Sequence, residues 1–389
     1  MHLTFRNVNE AFRGLVEGIH TGKIPTEVMA SRYGEVAVVE EPVIITYEKP
    51  LERVLFNQAR DANCFFHLFE ALWMLAGRND VAPIAYYSSK IEEFSDDGKT
   101  FNGSYGYRWR KAWTSRQIGS DERVDQLDLI VNHLKAKPES RRAVLQMWNV
   151  EDDLLKINDS KDVCCNLSVL FSIERGGCVA CNGRGYHRKT TMERTADGII
   201  YPPEQRQAIC PICKGKPHEQ PCYLNMTVFN RSNDMIWGAL GANMVHFSVM
   251  LEYVAARLGL EVGKYHQVTN NLHVYTNNWE PEKWLADDQV DAYVSYSKSN
   301  RVPLISDPYT FEEELPRFVE HFSKQVYGAR DYREPFLHYV AQPMFLAFSY
   351  RKDPSTAKLW LEHIKADDWR IAATNWIEKR QKRRAERVG

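Results

Sequence analysis

Apolar residues recur at helical spacing in NEAFRGLVEGIH near the start of the chain, which predicts a helix followed by a turn-rich approach. The β-branched run EVAVVEEPVIITY reads as strand. From Leu51 to Gly77, NQARDANCFFHLFEALWMLAG keeps apolar residues at helical spacing and stops at a glycine, so one long buried helix is predicted there. Residues 78–104 are mixed, with a DDGKTFNGS loop. RRAVLQMWN and NLSVLFSI read as strands, as does YLNMTVFN further on. MVHFSVMLEYVAARLGL reads as a strong helix, of core or dimer type, and VGKYHQVTNNLHVY returns to strand. The C-terminal third is helical and charged, and no internal repeat is visible. Strands and helices mix without regular βαβ alternation.

Residues 176–219 break this pattern, being rich in Gly, Lys, Arg and Cys and poor in aliphatic residues. The domain reading is therefore one catalytic unit, residues 1–175 and 220–389, interrupted by a small insertion at 176–219. The insertion carries Cys178 and Cys181 ahead of Asn-Gly-Arg-Gly, and Cys210 and Cys213 ahead of Lys-Gly-Lys. In each C-x-x-C-x-G knuckle a glycine lets the backbone turn around the sulfurs. Four thiolates suit tetrahedral zinc and leave no open coordination position, so a structural rather than catalytic Zn²⁺ is expected. Zinc would supply folding energy that so small a module lacks. His187 and His218 are weaker candidate ligands.

A chain of 389 residues with 44% hydrophobic content can bury a sizeable core. Its net charge of −1 gives no electrostatic footprint for nucleic acid or an anionic membrane. That balance argues against a zinc-dependent nucleic-acid-binding protein, the remote alternative. With no long uncharged apolar run and no N-terminal signal pattern, a cytoplasmic protein with reduced thiols is expected. The basic tail EKRQKRRAERVG reads as a solvated helix end.

Several short segments hold groups suited to a phosphorylated pyrimidine. Arg32 lies in Ser-Arg-Tyr-Gly, Arg141 and Arg142 follow Ser140, and Arg231 precedes Ser232. Guanidinium forks match phosphate oxygens, although a lone arginine is more often a surface residue. In DVCCN, Cys164 and Cys165 precede a strand. A nucleophilic cysteine needs a lowered pKa, which nearby arginines would supply. Glu70 sits within the apolar FFHLFEALWML, where a carboxylate is costly unless paired or functional.

The segments SRYG, FEALWMLAGRND, GSYGYRW, SRRAVLQMWN, CCN, RSNDMIWG, GAN and NNLHVY occur in this order between roughly residues 30 and 275. Together they resemble the thymidylate synthase and deoxypyrimidylate hydroxymethylase superfamily. The resemblance implies an α+β fold with a bent mixed sheet and flanking helices, in a homodimer with shared active sites. It implies that Cys165 is the nucleophile, and that Arg231, Ser232 and Arg32 hold the substrate phosphate, with Arg141 and Arg142 reaching into the neighbouring subunit. Asn243 would read the pyrimidine edge, and His273 and Tyr275 the ribose. Asp234 would bind the pterin of 5,10-methylenetetrahydrofolate, with Gly238 letting base and cofactor approach. Tyr105 and Glu70 would support the water network that moves protons.

The implied chemistry is thiolate addition at C6 of a pyrimidine nucleoside monophosphate, one-carbon transfer to C5, and completion by hydride (methyl) or water (hydroxymethyl). Three departures from the synthase pattern stand out: no Trp in KIEEFSDDGKTFNGSYG, which has Phe94 instead; Asn166 after the nucleophile, where synthases have His; and one extra residue between Gly238 and Asn243. The C-terminal third, from about residue 280, has no counterpart. A wetter site favours water, so dUMP hydroxymethylation is expected, as in viral pathways to modified DNA bases, with thymidylate synthesis and then dCMP hydroxymethylation as alternatives.

Overall fold

The structure is a computed structural model that describes residues 1–114, 123–176, 186–191, 204–210, 214–215, 222–287, 296 and 300–388. In chain order the strands are β1 (His2–Phe5), β2 (Thr26–Ser31), β3 (Gly34–Val39), β4 (Val43–Tyr47), β5 (Trp113–Thr114), β6 (Arg123–Val124), β7 (Val144–Gln146), β8 (Asn166–Glu174), β9 (Tyr186–Thr191), β10 (Glu204–Ile209), β11 (Tyr223–Asn230), β12 (Asn233–Asp234), β13 (Glu261–Thr269) and β14 (Leu272–Tyr275). The α-helices are α1 (Val8–His20), α2 (Cys64–Leu75), α3 (Ala82–Ala85), α4 (Tyr105–Arg110), α5 (Gln126–Ala136), α6 (Asn243–Leu258), α7 (Pro281–Leu285), α8 (Pro308–Ser323), α9 (Gln342–Ser349), α10 (Pro354–His363) and α11 (Asp367–Val388).

Two mixed sheets carry the fold, which is α+β as expected. The larger has the order β1-β4-β13-β11-β8-β7 and the smaller β12-β14-β3-β2. Both long strand runs expected from the sequence split between the two sheets. EVAVVEEPVIITY breaks around Pro42, leaving β3 in the small sheet and β4 in the large one. Proline lacks the N–H a ladder needs. The second run breaks at Asn270–Asn271 into β13 and β14. Along β11 and β8 the pairing slips between Phe229 and Asn230, so that Leu167 has no partner, one residue after Asn166. Such a bulge bends the strand and re-aims the side chains beside it, here those leading into Cys165.

The helix expected over Leu51–Gly77 begins only at Cys64. Asn63 caps it by accepting from Phe66 N at 3.1 Å, and Asp61 just upstream takes a positive φ of 57°. Asn57 Oδ1 accepts from Arg60 N at 2.7 Å. Side-chain bonds of this kind compete with helical ones and keep 51–62 as a loop. Within α2 nearly every residue is buried, because the helix is covered on both sides. One side meets α6 and α4. On the other, Phe65 and Phe69 meet Phe318, Phe322, Phe345, Phe348 and Trp376 of the C-terminal helices. The C-terminal third is thus a helical layer over α2.

The basic tail is only partly solvated, which corrects the expectation. Arg380 stacks on Trp376 at 3.5 Å from the ring centroid and bonds Asp61 at 2.9 Å, while Lys379 donates to Gln58 O at 2.6 Å. The cation–π contact and the half-buried Asp61 carboxylate draw this part of the run onto the body.

Helix α4, inside GSYGYRW, escaped the periodicity because it is only six residues long. Its Gly106 lies so close to α2 that a Cβ would overlap the Met74 carbonyl.

The insertion leaves β8 and returns at β11, whose ends Glu174 and Tyr223 are direct partners. Its described part is a β9–β10 hairpin with Tyr186 opposite Ile209. Cys178, Cys181 and Cys213 lie outside the described residues, as do His187's side chain and His218; Cys210 is buried at the end of the hairpin.

Candidate active site

The loop before β8 is held from below by a buried ion pair. Arg108 of α4, 3% exposed, meets Asp153, 0% exposed, with both guanidinium branches. Asp153 Oδ1 accepts from Cys164 N at 3.0 Å and its Oδ2 from Asn149 N at 2.8 Å, so both oxygens are committed to the loop. Burying a charged pair is tolerable only with bonds this complete. No periodic pattern marks this pair, since Asp153 hides in the acidic run EDDLL.

The two cysteines differ sharply. Cys164 is buried, its Sγ donates to Asn166 O at 3.1 Å, and burial drives its thiol far above the ordinary range. Cys165 is half-buried and lies 3.5 Å from Arg231 Nη2. Arg231 also donates through Nε to Cys164 O at 3.0 Å and through Nη2 to Val163 O at 2.8 Å, and its backbone N donates to Cys165 O at 2.9 Å. The expectation of a depressed thiol pKa is corrected here. Burial raises the Cys165 thiol above its usual value, and the opposing pull of Arg231 is offset further by Asp162 and Asp153. In the free chain Cys165 is therefore held largely as thiol at neutral pH.

Asp162 was not foreseen. Its Oδ2 accepts from Gly103 N at 2.7 Å, and burial lifts its carboxyl to about 6. Tyr105, stacked obliquely on Phe247, lies close enough to Cys165 and Asp162 that burial and both neighbours raise its hydroxyl well above the usual value.

Arg32 donates to Ser160 O at 3.3 Å and is otherwise exposed on the turn between β2 and β3. Ser232 Oγ reaches Asn271 Oδ1 at 3.4 Å and His273 Nδ1 at 3.5 Å; the His273 ring meets Tyr275 edge-on at 5.6 Å. The Tyr275 hydroxyl, raised chiefly by burial, interacts with Ser31 and senses Asp234 and Cys165. Ser232, His273 and Tyr275 thus lie together, with Arg231 adjacent to Ser232 in the chain, while Arg32 reaches the loop that leads to Cys165. Arg141 and Arg142 do not join them: both are exposed at the start of β7, on the edge of the large sheet.

Asp234, the register partner of His273 across β12 and β14, accepts through Oδ1 from Ile236 N and Trp237 N, both at 2.7 Å, and starts a π-helical turn over Met235–Ala242. Burial raises the Asp234 carboxyl, against the pull of His273 and Arg60. The extra residue between Gly238 and Asn243 is absorbed in this turn, where Gly241 leaves helical geometry (φ −115°, ψ −113°). Asn243 accordingly keeps its side chain inward and donates to Asn233 Oδ1 at 3.0 Å. Gly238 faces the same pair, and a Cβ there would overlap Asn233 Oδ1. Trp237 is 56% exposed with Arg60 stacked on it at 4.1 Å. Phe94 is 40% exposed and packs edge-on against Tyr33.

Beneath this floor, Glu70 of α2 approaches His246 of α6, with 2.8 Å between Oε2 and Nε2. His67, one turn before Glu70, is pushed down to about 3 by burial, His246 and Arg60. A histidine inside the apolar run of α6 was the one available signal for this contact.

Residues 59–293 match the thymidylate synthase family model. The chain is 37% identical over 392 residues to the deoxyuridylate hydroxymethyltransferase of Pseudomonas phage M6, spanning 97% of this chain and 93% of that protein. It is 32% identical over 292 residues to the deoxyuridylate hydroxymethyltransferase of Bacillus phage SP01, spanning 74% of this chain and 62% of that one. The family match runs through the loop of Cys165, the bend at Arg231 after β11 and the Asn233–Asn243 turn, and on all these grounds the chain belongs to the thymidylate synthase family.

Proposed function

We propose that this enzyme transfers a hydroxymethyl group to C5 of dUMP, with 5,10-methylenetetrahydrofolate as co-substrate. The observation that carries the reading is the 3.5 Å contact between Cys165 and a guanidinium whose remaining branch, Nη1, is free of bonds to the described residues. Arg231, with Arg32 and Ser232, anchors the phosphate, and that anchoring sets the ring's sixth carbon against Cys165 Sγ. His273 and Tyr275 take the ribose. Thiolate addition makes C5 nucleophilic, and expulsion of the same sulfur ends the cycle.

Asn243 selects the base. One of its amide hydrogens is spent on Asn233, which fixes the carboxamide; the other faces O4 of uracil and the amide oxygen accepts N3–H. A cytosine, with an amino group at C4, would meet a donor with a donor.

The folate co-substrate supplies the one-carbon unit. The residues present fit its flat rings: the exposed Trp237 face, the lack of a Cβ at Gly238, and Asp234, whose Oδ2 is left over after both amide bonds go to Oδ1. The stretch before Gly103–Gly106 carries no tryptophan to shield the exocyclic carbon, which favours water as the final nucleophile. Incubation with methylenetetrahydrofolate and either dUMP or dCMP, followed by product mass, tests the reading. 5-Hydroxymethyl-dUMP is expected, with dCMP turned over at least about 10²-fold more slowly. A dCMP product in preference overturns the assignment of Asn243.

Two further proposals come from the sequence. The enzyme works as a homodimer in which Arg141 and Arg142 reach the partner's phosphate site; their exposure at the edge of the large sheet supports this, as do half-buried Leu170, Phe229 and Val268 on its non-core face. The insertion binds structural Zn²⁺ through Cys178, Cys181, Cys210 and Cys213. The described knuckle suits it: Lys214 N donates to Cys210 O at 2.8 Å, and Lys214 and Gly215 take φ of 51° and 81°, wrapping the backbone around a buried sulfur. No cluster of three metal-binding side chains occurs among the described residues. Elemental analysis should find one zinc per chain, lost in Cys210→Ser; a metal-free wild type contradicts the site.

Among the described residues no helix is long and apolar enough to cross a membrane.

A further inference from the structure

Hydroxymethyl transfer and methyl transfer differ in how many protons they move. In methyl transfer one proton passes from pyrimidine C5 to a nitrogen of the one-carbon donor, because hydride loss leaves the donor's second nitrogen doubly bonded. In hydroxymethyl transfer both donor nitrogens end protonated. One proton comes from C5 and the other from the water that becomes the new hydroxyl. The water step balances without oxidant or reductant. The water oxygen bonds the exocyclic methylene carbon, and the displaced pair moves through the ring to O4. The water proton leaves to a base, and the returning pair restores C5=C6 as the bond from C6 to Cys165 sulfur breaks.

A single carboxylate holds one proton. If Glu70 still carries the one from C5 when water attacks, a second group must relieve it. His246 stands where such a group is needed. Its Nε2 lies 2.8 Å from Glu70 Oε2, with the two side chains 3% and 12% exposed. The contact is out of line for a hydrogen bond, so neither imidazole nitrogen has a hydrogen-bond partner in a residue only 2% exposed. Buried polar atoms left this way call for an explanation, and a role in proton transfer is one of them. His246 is three residues after Asn243 on α6, so both lie on one face of that helix, and His67 stands likewise to Glu70 on α2. His67 beside them is pushed down to about 3 by burial, by His246 and by Arg60, and so stays neutral.

We propose that His246 takes the proton from Glu70, so that the carboxylate is unprotonated when water attacks the exocyclic carbon. His246 is a positioning residue that acts through Glu70 and does not touch the substrate. The inference rests on the hydroxymethylation reading.

Single-turnover reactions with dUMP tritiated at C5 test it. In His246→Gln, tritium release should stay within about threefold of wild type while hydroxymethyl product forms about 10²-fold more slowly, with KM for dUMP unchanged. Equal slowing of both events, or no slowing, overturns the proposal. Should the variant not fold, wild-type product formation in H₂O–D₂O mixtures decides. A curved dependence on deuterium fraction supports two protons in transfer, and a straight line overturns it. A wild type that makes a methyl product removes the functional reading and this inference together; hydroxymethyl product with an unaffected His246→Gln removes the inference alone.

Discussion

Cys165→Ser is expected to lower kcat by about 10⁴-fold or more, the scale on which loss of a covalent nucleophile acts. The adjacent Cys164→Ser should stay within about tenfold of wild type. The contrast follows from placement. Cys165 is half-buried against Arg231, whereas Cys164 points into the core and is occupied by the carbonyl of Asn166. A serine hydroxyl can keep that second bond but cannot replace a thiolate as nucleophile. Because the phosphate anchor is untouched, dUMP binding to Cys165→Ser, measured by calorimetry, should change by less than about fivefold. If Cys164→Ser were the inactive variant, the nucleophile would be the other sulfur.

The second large effect belongs to stability. Arg108→Ala strands the Asp153 carboxylate at 0% exposure and should cost about 3–5 kcal/mol in denaturant unfolding. The double variant Arg108→Met/Asp153→Leu should regain only part of that loss, since it avoids the desolvation cost of two ions but strands the two backbone amides that Asp153 serves. Activity should not return with it. Asp153 also receives Cys164 N and Asn149 N, and leucine leaves both amides without an acceptor beneath Cys165. A double variant restoring both properties would show that the pair serves stability alone.

The fold class and most long elements were legible because they follow burial periodicity: α1, α6, β8 and β11 lie where the apolar spacing puts them. What periodicity could not show is where a run changes sheet. Breaks at Pro42 and at Asn270–Asn271 cost the pattern one or two polar residues each, too few to register against a long apolar stretch. Likewise the loop 51–62 looks helical because its apolar residues are buried, yet local bonds from Asn57 and Asn63 hold it otherwise.

The site was legible where chemistry demands a rare residue in an odd place: a carboxylate in α2, paired cysteines before a strand, arginine followed by serine. The geometry adds what no linear pattern carries. Asp153 and Asp162 act through burial that only the folded loop creates, and His246 matters through a helix 176 positions from Glu70, 246 less 70. The fate of the extra residue before Asn243 also needed the backbone, since Gly241 absorbs it and leaves the amide facing Asn233.

The choice of final nucleophile is tested most directly by running the dUMP reaction in ¹⁸O-labelled water and weighing the nucleotide product. One labelled oxygen in the new substituent is expected, with tetrahydrofolate as the spent co-substrate. A 5-methyl product free of label, accompanied by an equal amount of dihydrofolate, would contradict hydroxymethylation and make the enzyme a synthase.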